Sequence, residues 1–520
     1  MELEIVRRIR GNVHGTVDVT ALEDRVIDHP TMQRLRRIRQ LAFLSFVFPG
    51  ATHSRFEHSL GVMQLAGITW SKMRANQMRL VNTCGRYHDF ARIEQVSDAR
   101  LVHGLLAPTF PLADEIFGSP YILQALRLAG LLHDVGHPPF SHSGERFLPS
   151  YAQVLADNQD IPPYLTSYLE GRCRSLAAQG RDPAQVTVRH ETYTLLLAGR
   201  LLEEVNLAFS GPKIEPRDVV AIINPEIAPA AGSPLARHGL HHLLHELVSG
   251  EVDVDRMDYL LRDARECGVV YGIFDATRIQ DSLCLYFDPL GGGVHLAISF
   301  SGLAAFEDYL RARHSMYLQL YFHKTSVAAE AMMQHLARML GGYKMPARLA
   351  DYAALDEYNI EGVLLDAARN LSAPKQAEFR QLLDDLLRGR RLWKRVFEVS
   401  TQGKNASQPA AEQAAQIIKE LGVAFEQVSS SGSLTNFRPR REHELSRNYL
   451  RLIKKDEYQF PRVLPIEDHL SLISGDTRVH INRIYVESGL DGRGRRISDV
   501  VKQRLTERLR PANDGQSPLP

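Results

Sequence analysis

The dipeptide His133-Asp134 places an imidazole and a carboxylate, two common metal ligands, side by side at the end of an apolar segment. Residues 122–132 are apolar almost all round, which predicts a buried helix, and Gly136 with the two prolines that follow predicts where it ends. Burying an imidazole and a carboxylate is costly unless the two groups are paired or bind a metal. The segment therefore predicts a metal site at a helix end.

The dipeptide is not diagnostic alone, because His88-Asp89 repeats it without an apolar helix before it or further histidines after it. Two other stretches supply partners. His58 begins one amphipathic stretch, and Asp255 lies early in another. With His133 and Asp134 they offer two imidazoles and two carboxylates to one divalent ion. This donor set suits Mn, Fe, Ni, Co or Zn better than Ca, and it accepts Mg with retained waters.

The elements that must position these residues are mostly helical. The periodicity predicts a mainly α protein with a core over 1–340, a C-terminal α-rich lobe over 341–510 with an oligomerisation or regulatory role, and a disordered tail over 511–520. Polar stretches near 84–112 and 149–188 are interpreted as insertions. Short hairpins are predicted around 12–15 and 288–293, and residues 302–340 predict one long helix or two abutting helices.

The composition sets few limits on partners. The 520 residues include 62 Lys and Arg against 61 Asp and Glu, so no overall charge demands nucleic acid or a membrane. Local basic runs, interpreted as solvated faces or phosphate-binding surfaces, lie at 34–37, 388–391, 438–441, 454–455 and 493–496. Four scattered cysteines fit a reducing compartment, and neither a secretory leader nor a membrane-length apolar stretch is seen. A soluble cytoplasmic protein is expected.

Three stretches, 47–62, 133–142 and 254–263, closely resemble the HD-type deoxynucleoside triphosphate (dNTP) triphosphohydrolases, which include the bacterial dGTPases and the vertebrate sterile-alpha-motif and HD enzyme. The resemblance covers about residues 11–340 and implies an HD-domain helical core. It implies that His58, His133, Asp134 and Asp255 hold one metal. It also implies cleavage of a dNTP between the α-phosphorus and O5′, which yields the deoxynucleoside and intact triphosphate.

The leaving alkoxide of such a reaction needs a proton, and His142 is the candidate donor because imidazole titrates near neutrality. The resemblance gives His142 that role. It also places Glu145 where the vertebrate enzyme has an aspartate relay, and it matches His190 and Glu191 to a supporting pair. The alternative is that His142 and His190 are loop histidines satisfied by hydrogen bonds.

Candidate substrate contacts fall at helical spacing. Arg256, Tyr259 and Asp263 share one helix face, and 313, 317, 321 and 324 share another; solvated faces with i,i+4 pairs are the alternative. The resemblance places arginines on the triphosphate, tyrosines against sugar and base, and polar groups near the 3′-hydroxyl. Tyr317 stands where the vertebrate enzyme has a histidine, so base selectivity does not transfer. The predicted substrate-binding set is Gln40, Leu41, Arg55, His137, Arg256, Tyr259, Asp263, Arg313, Tyr317 and Tyr321.

Some members of the family bind activating nucleotides at subunit interfaces. The residues that match a guanine activator site are Asp28, Gln33 and Arg36, and those that match a neighbouring dNTP site are Val47, Phe48, Asp275, Arg278, His323 and Lys324. The match is partial, since Arg10 replaces an asparagine and serines stand where basic phosphate ligands align. Asp28 and Gln33 could instead cap and brace a helix. The resemblance also implies a homo-oligomer, either a tetramer or a hexamer.

Two other functions stay open. An HD phosphohydrolase could act on a nucleoside monophosphate, a cyclic nucleotide or an alarmone. An HD scaffold could bind nucleic acid through the C-terminal basic runs. The intact ligand set favours an enzyme, with a dNTP as substrate and GTP or a dNTP as activator, in dNTP pool control or phage defence.

Overall fold

The computed structural model describes residues 3–84, 116–288, 293–403, 408–432, 450–455, 461–471 and 478–509. Within these residues the chain is mainly α-helical with three small sheets, which confirms the predicted fold class. Most of the predicted insertion near 84–112, the dipeptide His88-Asp89 and the tail over 511–520 lie outside the described residues. No helix in the described ranges is long and apolar enough to cross a membrane.

The N-terminal part begins with a hairpin and continues in helices. Its elements are β1 (Ile5–Arg10), β2 (Thr16–Thr20), α1 (Ala21–Asp28), α2 (Pro30–Gln33), α3 (Arg55–Cys84), α4 (Pro120–Leu132), α5 (Tyr151–Asp157) and α6 (Pro163–Ala178). The antiparallel pairing of β1 with β2 confirms the first predicted hairpin. A capping box of Thr20 and Glu23 starts α1. The polar segment 149–188, interpreted as an insertion, folds largely into α5 and α6.

The middle of the chain supplies the walls of the site. Its elements are α7 (His190–Ala208), α8 (Pro216–Ile223), α9 (Leu240–Ser249), α10 (Val254–Cys267), α11 (Ala276–Gln280), β3 (Leu283–Asp288), β4 (Gly293–Ser299), α12 (Leu303–Met316) and α13 (Lys324–Met339). The antiparallel pair β3–β4 confirms the second hairpin. Residues 302–340 form two abutting helices, α12 and α13, joined by a π-helical turn over Tyr317–Tyr321.

The C-terminal part is mixed in secondary structure. Its elements are α14 (Leu349–Ala353), α15 (Ile360–Ala367), α16 (Ala373–Asp384), β5 (Lys394–Gln402), α17 (Gln408–Glu420), β6 (Phe425–Gly432), β7 (Arg451–Lys455), β8 (Pro461–Pro465), β9 (Val479–Val486) and α18 (Ile497–Arg508). Strands β5, β9 and β6 form one antiparallel sheet. Strand β7 pairs in parallel with β4, so this part of the chain extends a sheet that begins before residue 340.

Helix α3 lies between α4 and α10, and close packing brings the three together. Gly130 of α4 fits against the backbone of α3, where a Cβ would lie 3.3 Å from the Val62 carbonyl oxygen. Gly61 of α3 faces α10, and a Cβ there would overlap the carboxylate of Asp258. Small residues therefore allow the two approaches that set the geometry of the site.

Candidate metal centre and active site

The four predicted metal ligands meet where three helices approach each other. His58 lies in the first turn of α3, His133 directly follows α4, and Asp255 lies in the first turn of α10. The Nε2 atom of His58 lies 3.0 Å from Asp255 Oδ1 and 3.2 Å from His133 Nε2. Asp134 completes the group, with Oδ1 3.5 Å from His133 Nε2 and Oδ2 3.6 Å from His58 Nε2.

The outer ring nitrogens fix the tautomers of both histidines. His58 Nδ1 donates to Asp258 Oδ2 at 2.8 Å, and His133 Nδ1 donates to the Gly130 carbonyl at 2.8 Å. In its neutral form, each ring therefore presents the lone pair of Nε2 to the other ring and to two carboxylates. Converging lone pairs and negative charges repel one another unless a cation lies between them. The donor set fits one divalent ion.

Asp258 is a buried support for His58 that the sequence-based prediction missed. It accepts hydrogen bonds from Arg262 Nε and Nη2, both at 2.8 Å, and from His14 Nε2 at 2.7 Å. Burial opposes its ionisation, but these partners outweigh burial, so the pKa of Asp258 lies well below its usual range. The i,i+3 spacing from Asp255 was an available signal for Asp258, whereas no local pattern points to His14.

The carboxylates around the two imidazoles favour protonation of the rings when no metal is bound. Burial opposes protonation of His58, yet the hydrogen bonds with Asp255 and Asp258 raise its pKa to about 10. On the other side of the group, Arg55 forms an ion pair with Asp134. Burial disfavours the Asp134 carboxylate, but the Arg55 charge dominates and holds the pKa of Asp134 well below its usual range.

The loop after His133 carries backbone strain beside the site. Phe140 and Ser141 have positive φ angles of 63° and 50°, which are unfavourable for residues with a Cβ. The Phe140 ring stacks on Phe43 with centroids 5.3 Å apart, and Ser141 Oγ accepts from Arg55 Nε at 2.9 Å. Packing and a hydrogen bond with Arg55 therefore hold the strained conformation in place.

The predicted proton-donor group forms a second cluster next to the metal ligands. Glu145 Oε1 accepts from His142 Nδ1 at 2.8 Å and from His190 Nδ1 at 2.6 Å. Burial raises the pKa of Glu145, but the two imidazoles outweigh burial and lower it below its usual range. Glu191 Oε2 lies 3.5 Å from His190 Nδ1. The side chain of His142 is 72% exposed and can reach a bound molecule.

His137 links the two clusters. Its ring stacks on His190 with centroids 3.6 Å apart, and its Nε2 lies 3.4 Å from Asp134 Oδ1. Burial and the charge of Arg55 lower the pKa of His137 well below its usual range, so its ring is neutral at neutral pH. Ligand atoms of His137, His142, Glu145 and His190 lie within 4.8 Å of one another, so this cluster also has a donor set of the metal-binding kind.

Both clusters border one cleft of about 1040 Å³. Nine of the ten predicted substrate-binding residues line it: Gln40, Leu41, Arg55, His137, Arg256, Tyr259, Asp263, Tyr317 and Tyr321. The tenth, Arg313, lies behind Tyr317, with its guanidinium carbon 5.8 Å from that ring centroid. The fold thus brings both predicted helical sets to one place, although the π-turn separates Arg313 from Tyr321 and Lys324 is exposed.

One wall of the cleft is cationic. Arg256 donates from Nη1 to Asp253 Oδ2 at 2.7 Å. Arg313 is 6% exposed, and its Nε and Nη1 atoms find no hydrogen-bond partner among the described residues. The nearest carboxylate, of Glu251, lies 3.9 Å away. An unsatisfied buried guanidinium is costly, and its charge adds to those of Arg55 and Arg256, which line the cleft; this side of the cleft therefore suits an anionic ligand that supplies acceptors.

The opposite wall combines aromatic rings with a hydrogen-bonded chain. Tyr321 donates its hydroxyl proton to Asp263 Oδ2 at 2.7 Å, and Asp263 Oδ1 lies 2.8 Å from His53 Nε2. Tyr259 meets Tyr321 edge to face at 6.2 Å. Gln40 has a buried Oε1 without a partner in the described structure. His53 was not predicted as a site residue, although it lies in one of the motif stretches.

The residues predicted for activator binding all lie in described segments and contact other parts of the chain. Arg7 donates to Asp28 at 3.2 Å, Arg36 donates to Gln33 at 2.7 Å, and Arg36 also lies over Phe56. Asp275 caps α11 through the Arg278 amide, the rings of Phe48 and His323 meet edge to face, Val47 is half-buried, and Lys324 begins α13. Their role in nucleotide binding stays a prediction.

The chain has relatives of known and unknown function. No family model matches it. The deoxynucleoside triphosphate triphosphohydrolase SAMHD1 of Gallus gallus is 28% identical over 343 residues, covering 64% of this chain and 45% of that protein. An uncharacterized protein of Methanocaldococcus jannaschii is 26% identical over 326 residues, covering 63% and 48%. The chain thus spans less than half the length of these two relatives. The resemblance to the HD dNTP triphosphohydrolases is confirmed.

Two further matches cover more of both chains. The uncharacterized protein YwfO of Bacillus subtilis is 28% identical over 440 residues, which is 79% of this chain and 77% of that protein. The crystal structure of a hypothetical protein from Aquifex aeolicus superposes with a TM-score of 0.61 at 20% identity, over 96% of this chain and all of the other. That structure shares the fold, and its likeness extends beyond residue 340.

Proposed function

We propose that the chain is a metal-dependent dNTP triphosphohydrolase that converts a dNTP to the deoxynucleoside and intact triphosphate. The observation that carries this proposal is the meeting of three kinds of group in one cleft. The HD ligands offer a donor set for a divalent metal, Arg55 and Arg256 with the unsatisfied guanidinium of Arg313 behind Tyr317 favour an anion, and Asp263 with Tyr321 offers a carboxylate and a ring to a sugar.

The metal ligands would be His58, His133, Asp134 and Asp255, and the ion Mn, Mg, Fe, Ni, Co or Zn. When bound, such an ion polarises a phosphoryl oxygen and lowers the pKa of a bound water. The protein prepares the site because Asp258 and the Gly130 carbonyl orient both imidazoles.

The remaining residues would bind, neutralise and donate a proton. Arg55, Arg256 and Arg313 would neutralise the triphosphate, and charge that develops on the phosphoryl oxygens would be stabilised by the same cations. His142, held by Glu145, would donate a proton to the departing O5′. A tyrosine packed against C2′ would exclude a ribose hydroxyl sterically, which accounts for a deoxy preference.

The proposal is tested by incubating the purified chain with Mn or Mg and each dNTP, singly and mixed, and resolving the products by chromatography. Deoxynucleoside plus intact triphosphate is expected, and both products should vanish in a His133→Ala/Asp134→Ala variant. Orthophosphate or pyrophosphate would contradict the proposal and favour another HD phosphohydrolase. Salt-sensitive DNA or RNA binding that survives in that variant, without turnover, would favour the scaffold function instead.

Nucleotide activation within a homo-oligomer belongs to the same proposal and rests on the resemblance at Asp28, Gln33 and Arg36. Hydrolysis of one dNTP should then rise on addition of GTP or a second dNTP, and Asp28→Ala should remove that rise. Unchanged rates with every added nucleotide, together with an unaffected Asp28→Ala variant, would rule activation out.

A further inference from the structure

Strand β6 of the C-terminal part lies along α13, and both of its ends are anchored. At the start of the strand, Glu426 Oε1 lies 3.0 Å from His335 Nδ1 near the C-terminal end of α13. At its end, a Cβ on Gly432 would lie 3.1 Å from the Phe322 ring and 3.6 Å from Tyr317 Cβ. The strand therefore runs antiparallel to the helix and ends against the aromatic turn of the cleft.

The register between these anchors follows from the geometry of the two elements. From residue 335 back to 322 the helical path spans about 20 Å, and from 426 to 432 the strand spans about 20 Å as well. Side chains alternate in a strand, so Ser430 shares a face with Glu426 and Gly432. Ser430 lies two thirds of the way from residue 426 to residue 432, and the corresponding point on the path from residue 335 back to residue 322 is close to Ser326.

Three polar residues thereby line the same part of the cleft. Ser326, Glu330 and Ser430 all line the cleft, and Ser326 and Glu330 share one helix face at i,i+4 spacing. No hydrogen bond or ion pair joins Glu330 to another residue in the described segments. Burial raises the pKa of Glu330 to about 7, although the positive charges of Arg146 and Arg483 act to lower it.

We propose that Ser326, Glu330 and Ser430 form a nucleobase subsite that selects a base edge with two adjacent N–H donors. This inference rests on the proposed function: with the sugar at Asp263 and Tyr321, the base would extend into the part of the cleft that Ser326, Glu330 and Ser430 line. In its ionised form, which the charges of Arg146 and Arg483 favour, Glu330 accepts two hydrogen bonds side by side and donates none. Among the four bases, guanine alone offers adjacent donors, at N1 and at the 2-amino group. The serine hydroxyls complement either a donor or an acceptor.

The subsite also gives a role to the end of strand β6, which borders the cleft although it lies far along the chain from the metal ligands. Ser429 to Ser431 line the cleft, and the hydroxyl of Ser429 is already engaged with Asn482 of β9. Ser430 lies on the other face of the strand, the face that Glu426 and Gly432 turn toward α13, so its hydroxyl is on the side of Ser326 and Glu330. The C-terminal sheet thus contributes a specificity group to a site whose metal ligands all precede residue 256.

The test measures binding without turnover. With metal chelated by EDTA, the affinities for dGTP and for dITP, which lacks the 2-amino group, are determined by calorimetry for the wild type and for Glu330→Gln. The wild type should bind dGTP about 10-fold or more tightly than dITP, and Glu330→Gln should bring the two affinities to within about threefold. Ser430→Ala should weaken binding of both nucleotides. Glu203→Gln, at an exposed glutamate of α7, is the matched control and should leave the ratio unchanged.

The subsite would be overturned if the ratio of the dGTP affinity to the dITP affinity were the same in the wild type and in Glu330→Gln. It would also be overturned if Glu203→Gln lowered this ratio as much as Glu330→Gln does. Because the readout is binding, it separates the two proposals. Selective binding by a chain that releases pyrophosphate would keep the subsite and refute the proposed reaction. Release of triphosphate with an unchanged ratio would refute only the subsite, and absence of dNTP binding both in EDTA and with metal supplied would refute both proposals.

Discussion

At the residue scale, the orientation of His58 depends on Asp258. Replacing Asp258 with Asn removes the carboxylate that His58, His14 and Arg262 share, so the ring of His58 loses its fixed tautomer. We expect divalent metal affinity to fall by about 10- to 100-fold. Calorimetric titration with Mn²⁺ measures it, and Asp18→Asn, which breaks an exposed ion pair with Arg8, is the matched control. Equal affinities in the two variants would contradict a supporting role for Asp258.

Glu330 gives a pH-dependent prediction at the same scale. Its pKa in the folded chain is raised to about 7 by burial, so the folded state holds a proton that the unfolded chain releases near pH 4 to 5. The stability that this group contributes is present in full below the unfolded pKa and is lost as the pH rises through about 7. Glu330→Gln does not titrate. The melting temperature of Glu330→Gln should therefore rise relative to that of the wild type between pH 5 and pH 8. A constant difference between the two melting temperatures across that range would contradict the raised pKa of Glu330.

The residues that could be predicted from the sequence are those with local context. His133 follows an apolar helix, and His58 and Asp255 lie in ordered motif stretches, so their types and order were enough. His14 could not be predicted as a partner of Asp258, because 244 residues separate the two and only the packing of the N-terminal hairpin brings them together. Arg313 was predicted, but its lack of hydrogen-bond partners is a property of the packed wall alone.

At the element scale, the approach of the loop after α4 to the start of α7 sets the spacing of the two histidine clusters. A Cβ on Gly136 would lie 2.0 Å from the Thr194 amide nitrogen and 2.5 Å from the His190 carbonyl oxygen. Gly136→Ala should therefore move α7 away, lower the free energy of unfolding by about 1–3 kcal/mol and reduce turnover.

The control for this prediction is Gly171→Ala on α6, where an added Cβ meets nothing within 4 Å. Alanine favours a helix over glycine by about 0.5–1 kcal/mol, so this variant should be as stable as the wild type or more so. Denaturant unfolding and a turnover assay measure both variants. If Gly136→Ala matched Gly171→Ala in stability and rate, the close approach would not matter to the site.

The elements show the same division between local and distant information. Helix α4 and the two hairpins could be predicted because apolar periodicity and turn residues are local signals. The periodicity over 302–340 predicts either one long helix or two abutting helices, and the π-turn at Tyr317–Tyr321 shows that there are two. The serine run at 429–431 has the polar composition typical of a loop, whereas in the structure it lies at the end of β6 and pairs with β9.

At the scale of the whole molecule, the C-terminal part completes a site whose metal ligands lie in the first half of the chain. Strand β6 packs on α13, Tyr485 of β9 donates to the Lys324 carbonyl at 2.8 Å, and Arg483 donates to the Phe322 carbonyl at 2.8 Å. These contacts fix the helix that follows the tyrosine turn. The predicted boundary near residue 340 stays a prediction, but the cleft itself is built from both sides of it.

The most direct measurement of the central claim is the fate of the oxygen from water during hydrolysis of a dNTP. In H₂¹⁸O with Mn²⁺, attack on the α-phosphorus and departure of O5′ should place a single ¹⁸O on a terminal phosphorus of intact triphosphate, and the deoxynucleoside should carry none. Phosphorus NMR and mass spectrometry of the products read the result. Labelled pyrophosphate or orthophosphate, or ¹⁸O in the deoxynucleoside, would contradict the assignment of the HD site to dNTP triphosphohydrolysis.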